Sequence, residues 1–264
     1  MAFYGVNFLY NGIPASEFGL RISSLSEQEN SVGASVELMT QSIYRRPKEY
    51  LLGVKQSPVL NIPITITVQD ELTATQVSAI SKWLFGQSTY KKLQIVQPDM
   101  EYVYFNCIFT NPTLIQVGNI TRGFSATAVC DSPFAWEFPK ATNYNFRDYL
   151  VMESIVFNNT SDSSDYLYPI LLARANMFGG YLRITNNSDT DRTFSIYNLQ
   201  PNEVVVIDND LQYATGADTG VNHLRDMAYS GYKWFRYVPG ANHLSVEGNI
   251  DALTFINQFP KKIS

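Results

Sequence analysis

Nucleophilic catalysis is the first chemistry to look for, because a serine or cysteine nucleophile is usually activated by a neighbouring histidine. The sequence contains only two histidines, His223 in "GVNHLRD" and His243 in "GANHLSV", and both stretches are typical of turns or strand starts. The only cysteines, Cys107 and Cys130, lie in strand-like runs far from either histidine in sequence. Zinc sites need spaced Cys and His pairs, which this chain does not have. We therefore predict no catalytic residues, no metal and no cofactor.

The two cysteines are predicted to be buried thiols. "YVYFNCIF" around Cys107 and "FSATAVC" ending at Cys130 are typical of strands, in which cysteine behaves as a small hydrophobic residue. Residue type and spacing leave open whether a disulfide joins them.

Close carboxylate pairs offer oxygen ligands of the kind that calcium prefers. The pairs are Asp162 with Asp165, Asp189 with Asp191, and Asp208 with Asp210. None follows the twelve-residue calcium loop, so solvated turns are the favoured interpretation. A glycosidase needs two carboxylates across a cleft, and sequence alone cannot identify such a pair.

Aromatic side chains could bind a sugar or a protein partner. The stretch "DMAYSGYKWFRYVPG" places Tyr232, Trp234 and Tyr237 close together, and aromatic faces stack on sugar rings. The competing interpretation is the core of an ordinary β-sandwich, which we favour.

A basic cluster, Arg45, Arg46 and Lys48, interrupts a region with strand character. We predict two long strands on either side of it, "VELMTQSIYRR" and "VLNIPITITVQ", joined by a protruding basic tip. The tip either keeps a long hairpin soluble or meets acidic groups of a neighbouring subunit.

The elements that position these residues are predicted to be mainly strands. The 264 residues include 17 Tyr and 16 Phe, and aromatic and β-branched residues favour strands. One helix is predicted over "TATQVSAISKWLFG", with Thr73 and Gln76 as a capping box, Trp83 against a sheet and Gly86 at its end. Short strands at intervals of about ten residues predict an antiparallel sandwich in the second half.

Charge and length narrow the function. A net charge of -5 gives no general attraction for nucleic acid, so specific nucleic-acid binding is not expected. The sequence has no apolar run long enough to span a membrane and no signal-like start, so we expect synthesis in a cytoplasm. We place the domain boundary where "VCDSPFAWEFPK" ends the strand-rich first half, giving domains at 1–140 and 141–264.

Five stretches in this order resemble the distal tail proteins of long, non-contractile-tailed bacteriophages. They are "FYGVNFLYNGIPASEFGLRI", "ISKWLFG", "YKKLQIVQPDMEYVYFNCIF", "GFSATAVCDSPFAWE" and "VPGANHLSVEGNIDALTFI". The resemblance covers most of the chain, whereas 146–226 matches little beyond the rhythm of its strands.

The resemblance implies an N-terminal ring-forming β domain, a sandwich or barrel with one helix and a projecting hairpin, followed by a galectin-like sandwich. It assigns 36–68 to the hairpin that contacts the adjacent subunit. It further implies a hexameric hub, with no enzymatic activity, at the distal end of the virion tail, made in the cytoplasm of a bacterial host. The implied partners are the tail tube, tape-measure and tail-tip or receptor-binding proteins. The alternative is a carbohydrate-binding tail module that contacts a host cell-wall glycan through its C-terminal sandwich.

Overall fold

The computed structural model describes residues 7–23, 36–56, 59–146 and 151–262. The chain folds as two compact units, one built from the chain up to Glu137 together with a C-terminal segment that begins at Pro260, the other from Phe138–Phe259. The strands, in chain order, are β1 (Phe8–Tyr10), β2 (Ile13–Pro14), β3 (Leu20–Ile22), β4 (Val36–Ser42), β5 (Glu49–Gln56), β6 (Asn61–Val68), β7 (Lys91–Ile95), β8 (Val103–Val117), β9 (Ile120–Cys130), β10 (Ala135–Glu137), β11 (Lys140–Asn145), β12 (Val151–Asn159), β13 (Ile170–Ala175), β14 (Gly180–Asn186), β15 (Arg192–Leu199), β16 (Val204–Asp208), β17 (Tyr213–Gly216), β18 (Gly240–Gly248), β19 (Ile250–Asn257) and β20 (Pro260–Lys261).

The first unit is an open antiparallel sheet and not a closed barrel. Its strand order is β2-β1-β7-β8-β9-β6-β3, with β10 pairing to β8 and β20 pairing to β10. The tight turn between β1 and β2 is made by Asn11 and Gly12, both with positive φ (53° and 78°), the geometry that an Asn-Gly pair favours. The prediction of a mainly β fold with one helix is confirmed. Among the described strands the path ends at β2 and β3 and does not close into a barrel.

The helix α1 (Ala74–Phe85) forms where the capping pattern predicts it. Thr73 is the N-cap, its hydroxyl accepts a hydrogen bond from the Gln76 amide, and the Gln76 side chain accepts one from the Thr73 amide. Trp83 is buried and donates its indole N–H to the carbonyl of Tyr10 at 3.1 Å, which joins the helix to β1. Phe18 stacks on the same indole at 4.9 Å, so the helix completes the aromatic core of this unit.

The second unit is an antiparallel sandwich, as predicted. One sheet has the order β11-β19-β13-β16-β17 and the other has the order β12-β18-β14-β15. Inward-facing aliphatic and aromatic residues of both sheets, such as Leu171, Ile184, Val246 and Phe255, form one hydrophobic core.

The C-terminal strand departs from the division expected from the sequence. β20 pairs with β10, Ala135 opposite Lys261 and Trp136 opposite Pro260, so it belongs to the first unit. Lys261 Nζ also lies 3.4 Å from Glu137 Oε1. The chain therefore leaves the first unit after Glu137 and returns to it at Pro260. The single boundary predicted at 140/141 does not provide for this return. Among the described residues, no helix is long and apolar enough to cross a membrane.

Candidate functional site

The hairpin of β4 and β5 stands apart from both cores. The two strands form their own sheet, and no residue of the described 36–56 segment belongs to the buried core of the first unit. An isolated two-stranded ribbon is at best marginally stable in water, because each face lacks a layer to pack against. A surface that covers one face of such a ribbon would stabilise it.

The predicted return strand of the hairpin is wrong. The strand that pairs with β4 is β5 (Glu49–Gln56), whereas "VLNIPITITVQ" contains β6, which pairs with β3 and β9 inside the large sheet. The hairpin assigned by resemblance to 36–68 thus spans 36–56 in the structure. β6 belongs to the core because Ile62, Ile64 and Ile66 alternate on one buried face.

One face of the hairpin is apolar and exposed. Leu38 lies opposite Val54, and Leu51 lies opposite Thr40, so these four side chains share a face. The exposed fractions are 61% for Leu38, 60% for Leu51 and 51% for Val54. The pairing register shifts between Met39 and Thr40, which leaves Leu52 as an extra, exposed residue in β5. We call Leu38, Leu51 and Val54 the hairpin face.

The basic cluster lies at the hairpin tip, in the loop 43–48 between the two strands. Arg45 adopts a left-handed backbone conformation, φ 64°, and the Arg46 amide donates to the carbonyl of Ile43 at 3.0 Å, which closes the turn. Aromatic rings hold the cations: the Arg45 guanidinium lies 5.3 Å from the Tyr44 ring centre, and the Lys48 ammonium 5.7 Å from that of Tyr50. Arg45, Arg46 and Lys48 thus all lie in this one exposed loop.

The proposed sugar-contact residues do not form an exposed platform. Trp234 and Tyr237 are core residues with exposed fractions of 6% and 0%, and only Tyr232 is accessible, at 51%. Tyr237 stacks on Phe157 at 4.1 Å and meets Phe235 edge-on at 5.0 Å. A buried ring cannot stack on a sugar, so the sandwich-core interpretation describes Trp234 and Tyr237, and the three residues do not act as one surface.

His223 is buried, although its stretch of sequence is typical of a turn or a strand start. Its Nδ1 lies 2.9 Å from Asp226 Oδ2 and its Nε2 lies 3.1 Å from Glu203 Oε1. The carboxylate oxygens of Asp226 and Glu203 can both accept a hydrogen bond from the imidazole ring only when each ring nitrogen carries a hydrogen. Burial raises the pKa of Glu203, but hydrogen bonds from the Gln200 amide and from His223 outweigh it, so this pKa lies below its ordinary value.

The His223 cluster was missed because its members come from different elements. His223 and Asp226 are three residues apart, but Glu203 lies before β16, twenty residues earlier than His223, so no local motif connects Glu203 to the other two. The cluster links the loop before β16 to the 3₁₀ segment Leu224–Ser230, and nothing in it resembles a nucleophile poised beside a base.

Two of the carboxylate pairs contain an aspartate whose oxygens are taken up by the chain's own donors. Asp208 accepts hydrogen bonds from the amides of Asp210 and Leu211, and Asp189 forms a two-pronged ion pair with Arg236 at 2.7 and 3.1 Å. Within the described ranges, no group of three or more His, Cys, Asp or Glu side chains is placed to hold a metal ion.

The cysteines are buried and free, as the prediction of core thiols requires. Cys107 of β8 lies directly opposite Cys130 of β9, and both side chains are inaccessible to solvent. Burial, together with the neighbouring thiol and Asp131, raises the pKa of Cys107 far above its ordinary value. Burial and Asp131 raise the pKa of Cys130 to about 12. Neither thiol has the lowered pKa of a reactive cysteine.

Comparison with known proteins identifies the family of the chain. Two family models match the chain, the phage tail protein N-terminal domain over residues 3–132 and the phage tail C-terminal domain over residues 134–256. A search of curated protein sequences gave no match.

Solved structures with the same fold come from phage adsorption machinery. The crystal structure of SPP1 Dit (gp 19.1), described as a paradigm of the hub adsorption apparatus in phages that infect Gram-positive bacteria, has a TM-score of 0.71 at 12% identity and covers 97% of this chain and 100% of its own. Two structures of the phage P2 baseplate in its activated conformation, with Ca and with Sr, each have a TM-score of 0.57 at 10% identity over 91% of this chain and 90% of theirs. The chain therefore belongs to the phage tail protein family, with the N- and C-terminal domains of that family in order and the fold of a distal tail hub protein.

Proposed function

We propose that this protein is a structural component of the virion tail, a hub whose copies assemble into a closed ring at the distal end. The hairpin face carries this proposal: Leu38, Leu51 and Val54 are exposed on a ribbon that no described strand of its own chain covers. A partner that covers this face stabilises the ribbon and removes apolar surface from water.

A second copy of the chain is the partner that this hairpin suits. The hairpin is one surface and the body of the unit is another, so the contact between copies is head-to-tail, and such contacts form a ring when the rotation closes. We propose six copies, the number that the resemblance of the sequence to distal tail proteins implies. Pairing of a projecting ribbon with a neighbour's sheet is a recurring recognition mode.

The ring joins the tail tube to the baseplate or tip, and its remaining surfaces bind the tube, tape-measure and tail-tip or receptor-binding proteins. The role is structural and not enzymatic. The buried position of Trp234 and Tyr237 removes the residues on which glycan binding by the C-terminal sandwich was based, so no second function is proposed.

Electron microscopy of the purified protein tests this function. We expect ring-shaped particles with six-fold symmetry at micromolar concentration. A field of single particles, each of the size of one 29.8 kDa chain, at every concentration examined would overturn the proposal.

A further inference from the structure

A groove opens beside the edge of the large sheet in the first unit. It has a volume of about 1080 Å³ and is lined by the 3₁₀ turn Ala15–Phe18, by β3, by the end of β6 and by the first turns of α1. β3 pairs only with β6 among the described strands, Leu20 opposite Val68, so the groove follows an open sheet edge. Phe18 is fixed by its stacking on Trp83, which keeps this side of the groove in place.

The rim of the groove is acidic. Glu17, Asp70 and Glu71 line it and are exposed, and Arg21 is the one basic residue among its described lining. The ion pairs formed within the described part of the chain include none of these three carboxylates. We call this feature the acidic groove. Its charge and its apolar floor, which includes Leu20 and Leu72, suit a ligand that is both cationic and apolar.

The loop 43–48, which we call the cationic tip, has that chemistry. It carries three cations and no carboxylate. Tyr44 is 85% exposed and Ile43 is also exposed, so apolar side chains accompany the charges. The Arg46 guanidinium donates to the Tyr50 hydroxyl at 3.2 Å, and this contact, with the rings beside Arg45 and Lys48, limits the conformations the tip must lose on binding.

We propose that the cationic tip of one copy docks in the acidic groove of the next copy, with Arg45, Arg46 and Lys48 facing Glu17, Asp70 and Glu71. This inference rests on the proposed ring and identifies which surface receives the hairpin. The charged residues of the tip and of the groove rim are exposed, and none of them forms an ion pair within the described part of the chain. Strands of seven and eight residues extend about 25 Å, which is enough to reach a neighbouring protein.

Charge exchange between the two surfaces is the test. Variant one carries Arg45→Glu, Arg46→Glu and Lys48→Glu. Variant two carries Glu17→Lys, Asp70→Lys and Glu71→Lys. Variant three combines both sets, and sedimentation velocity measures self-association of all three beside the unaltered chain.

Each reversal alone is expected to weaken self-association by about ten- to a hundredfold, because like charges then face each other. The combined variant is expected to return to within about threefold of the unaltered chain. In 1 M NaCl the differences should shrink, since exposed charges are screened. Circular dichroism and thermal unfolding show whether each variant is folded.

A cross-link gives a second readout that does not depend on charge. A chain with both Tyr44→Cys and Glu71→Cys is expected to form disulfide-linked multimers under a mild oxidant, while chains with Glu71→Cys alone stay monomeric on a denaturing gel. The native thiols do not interfere because Cys107 and Cys130 are buried.

The outcomes separate the two proposals. If the unaltered chain associates but variant two associates equally well, or the combined variant does not recover, the acidic groove is not the receptor and the ring proposal stands. If the unaltered chain does not associate at any concentration, both proposals fail.

Discussion

Substitution of the hairpin face should prevent assembly without unfolding either unit. The variant carries Leu38→Ser, Leu51→Ser and Val54→Ser, three positions where between 51% and 61% of the side chain is exposed in the isolated chain. Complete burial of such a side chain is worth about 1.5–3 kcal/mol, so covering the exposed share of each contributes about 1–1.5 kcal/mol. The three together contribute about 4 kcal/mol to each contact between copies, which corresponds to about a thousandfold in the association constant.

Light scattering after size exclusion, over a hundredfold range of concentration, measures this loss. A matched control replaces three exposed apolar residues of the second unit, Val156, Phe178 and Leu211, with serine. The control should assemble like the unaltered chain, and both variants should unfold at a similar temperature because neither touches a core. Full assembly of the hairpin variant at every concentration, or equal loss in the control, would refute the reasoning.

Three further predictions concern the stability of the two units. The free energy of unfolding of the second unit should fall as the pH drops below about 4.5, because the pKa of Glu203 is lowered on folding and its stabilisation is lost on protonation. Calorimetry at several pH values should show a smaller dependence of this free energy on pH in the Glu203→Gln variant. Replacing His223 with alanine should destabilise that unit by about 3 kcal/mol in urea titration, while unchanged stability would mean that its two carboxylate contacts contribute little. Cys107 and Cys130 should not react with a thiol reagent at pH 8 until the protein unfolds, and rapid native labelling would contradict their burial.

The helix α1 and the burial of the two cysteines could be predicted, because each depends on residues that are close together in sequence. The helix begins at a Thr73–Gln76 capping box and presents Ile80, Trp83 and Leu84 on one buried face, and these signals lie within one dozen residues. Burial of Cys107 and Cys130 followed from their strand-like surroundings for the same reason.

The hairpin was harder to delimit because its return strand shows no alternation. β5 reads "EYLLGVKQ", and both of its faces are exposed, so nothing selects apolar residues at every second position. β6, "NIPITITV", alternates clearly, and this pattern predicts a strand that pairs with β4, although β6 pairs with β3 and β9 in the structure. The basic tip was located because proline and clustered cations mark a loop regardless of which strand follows.

Long-range pairings could not be predicted from one sequence. β20 pairs with β10 across more than a hundred residues, and the contact of His223 with Glu203 joins two loops that are twenty residues apart in sequence. Tyr232, Trp234 and Tyr237 do not form a binding platform for a related reason. Aromatic residues occur both in sugar-binding surfaces and in cores, and only the fold determines which of these side chains are buried.

Native mass spectrometry of the purified chain tests the central claim most directly, because it counts the copies in the assembly. The ring proposal predicts a main species of six copies of the 29.8 kDa chain, and its loss in the hairpin-face variant. A single copy as the main species across the concentration range, with the hairpin intact, would contradict it.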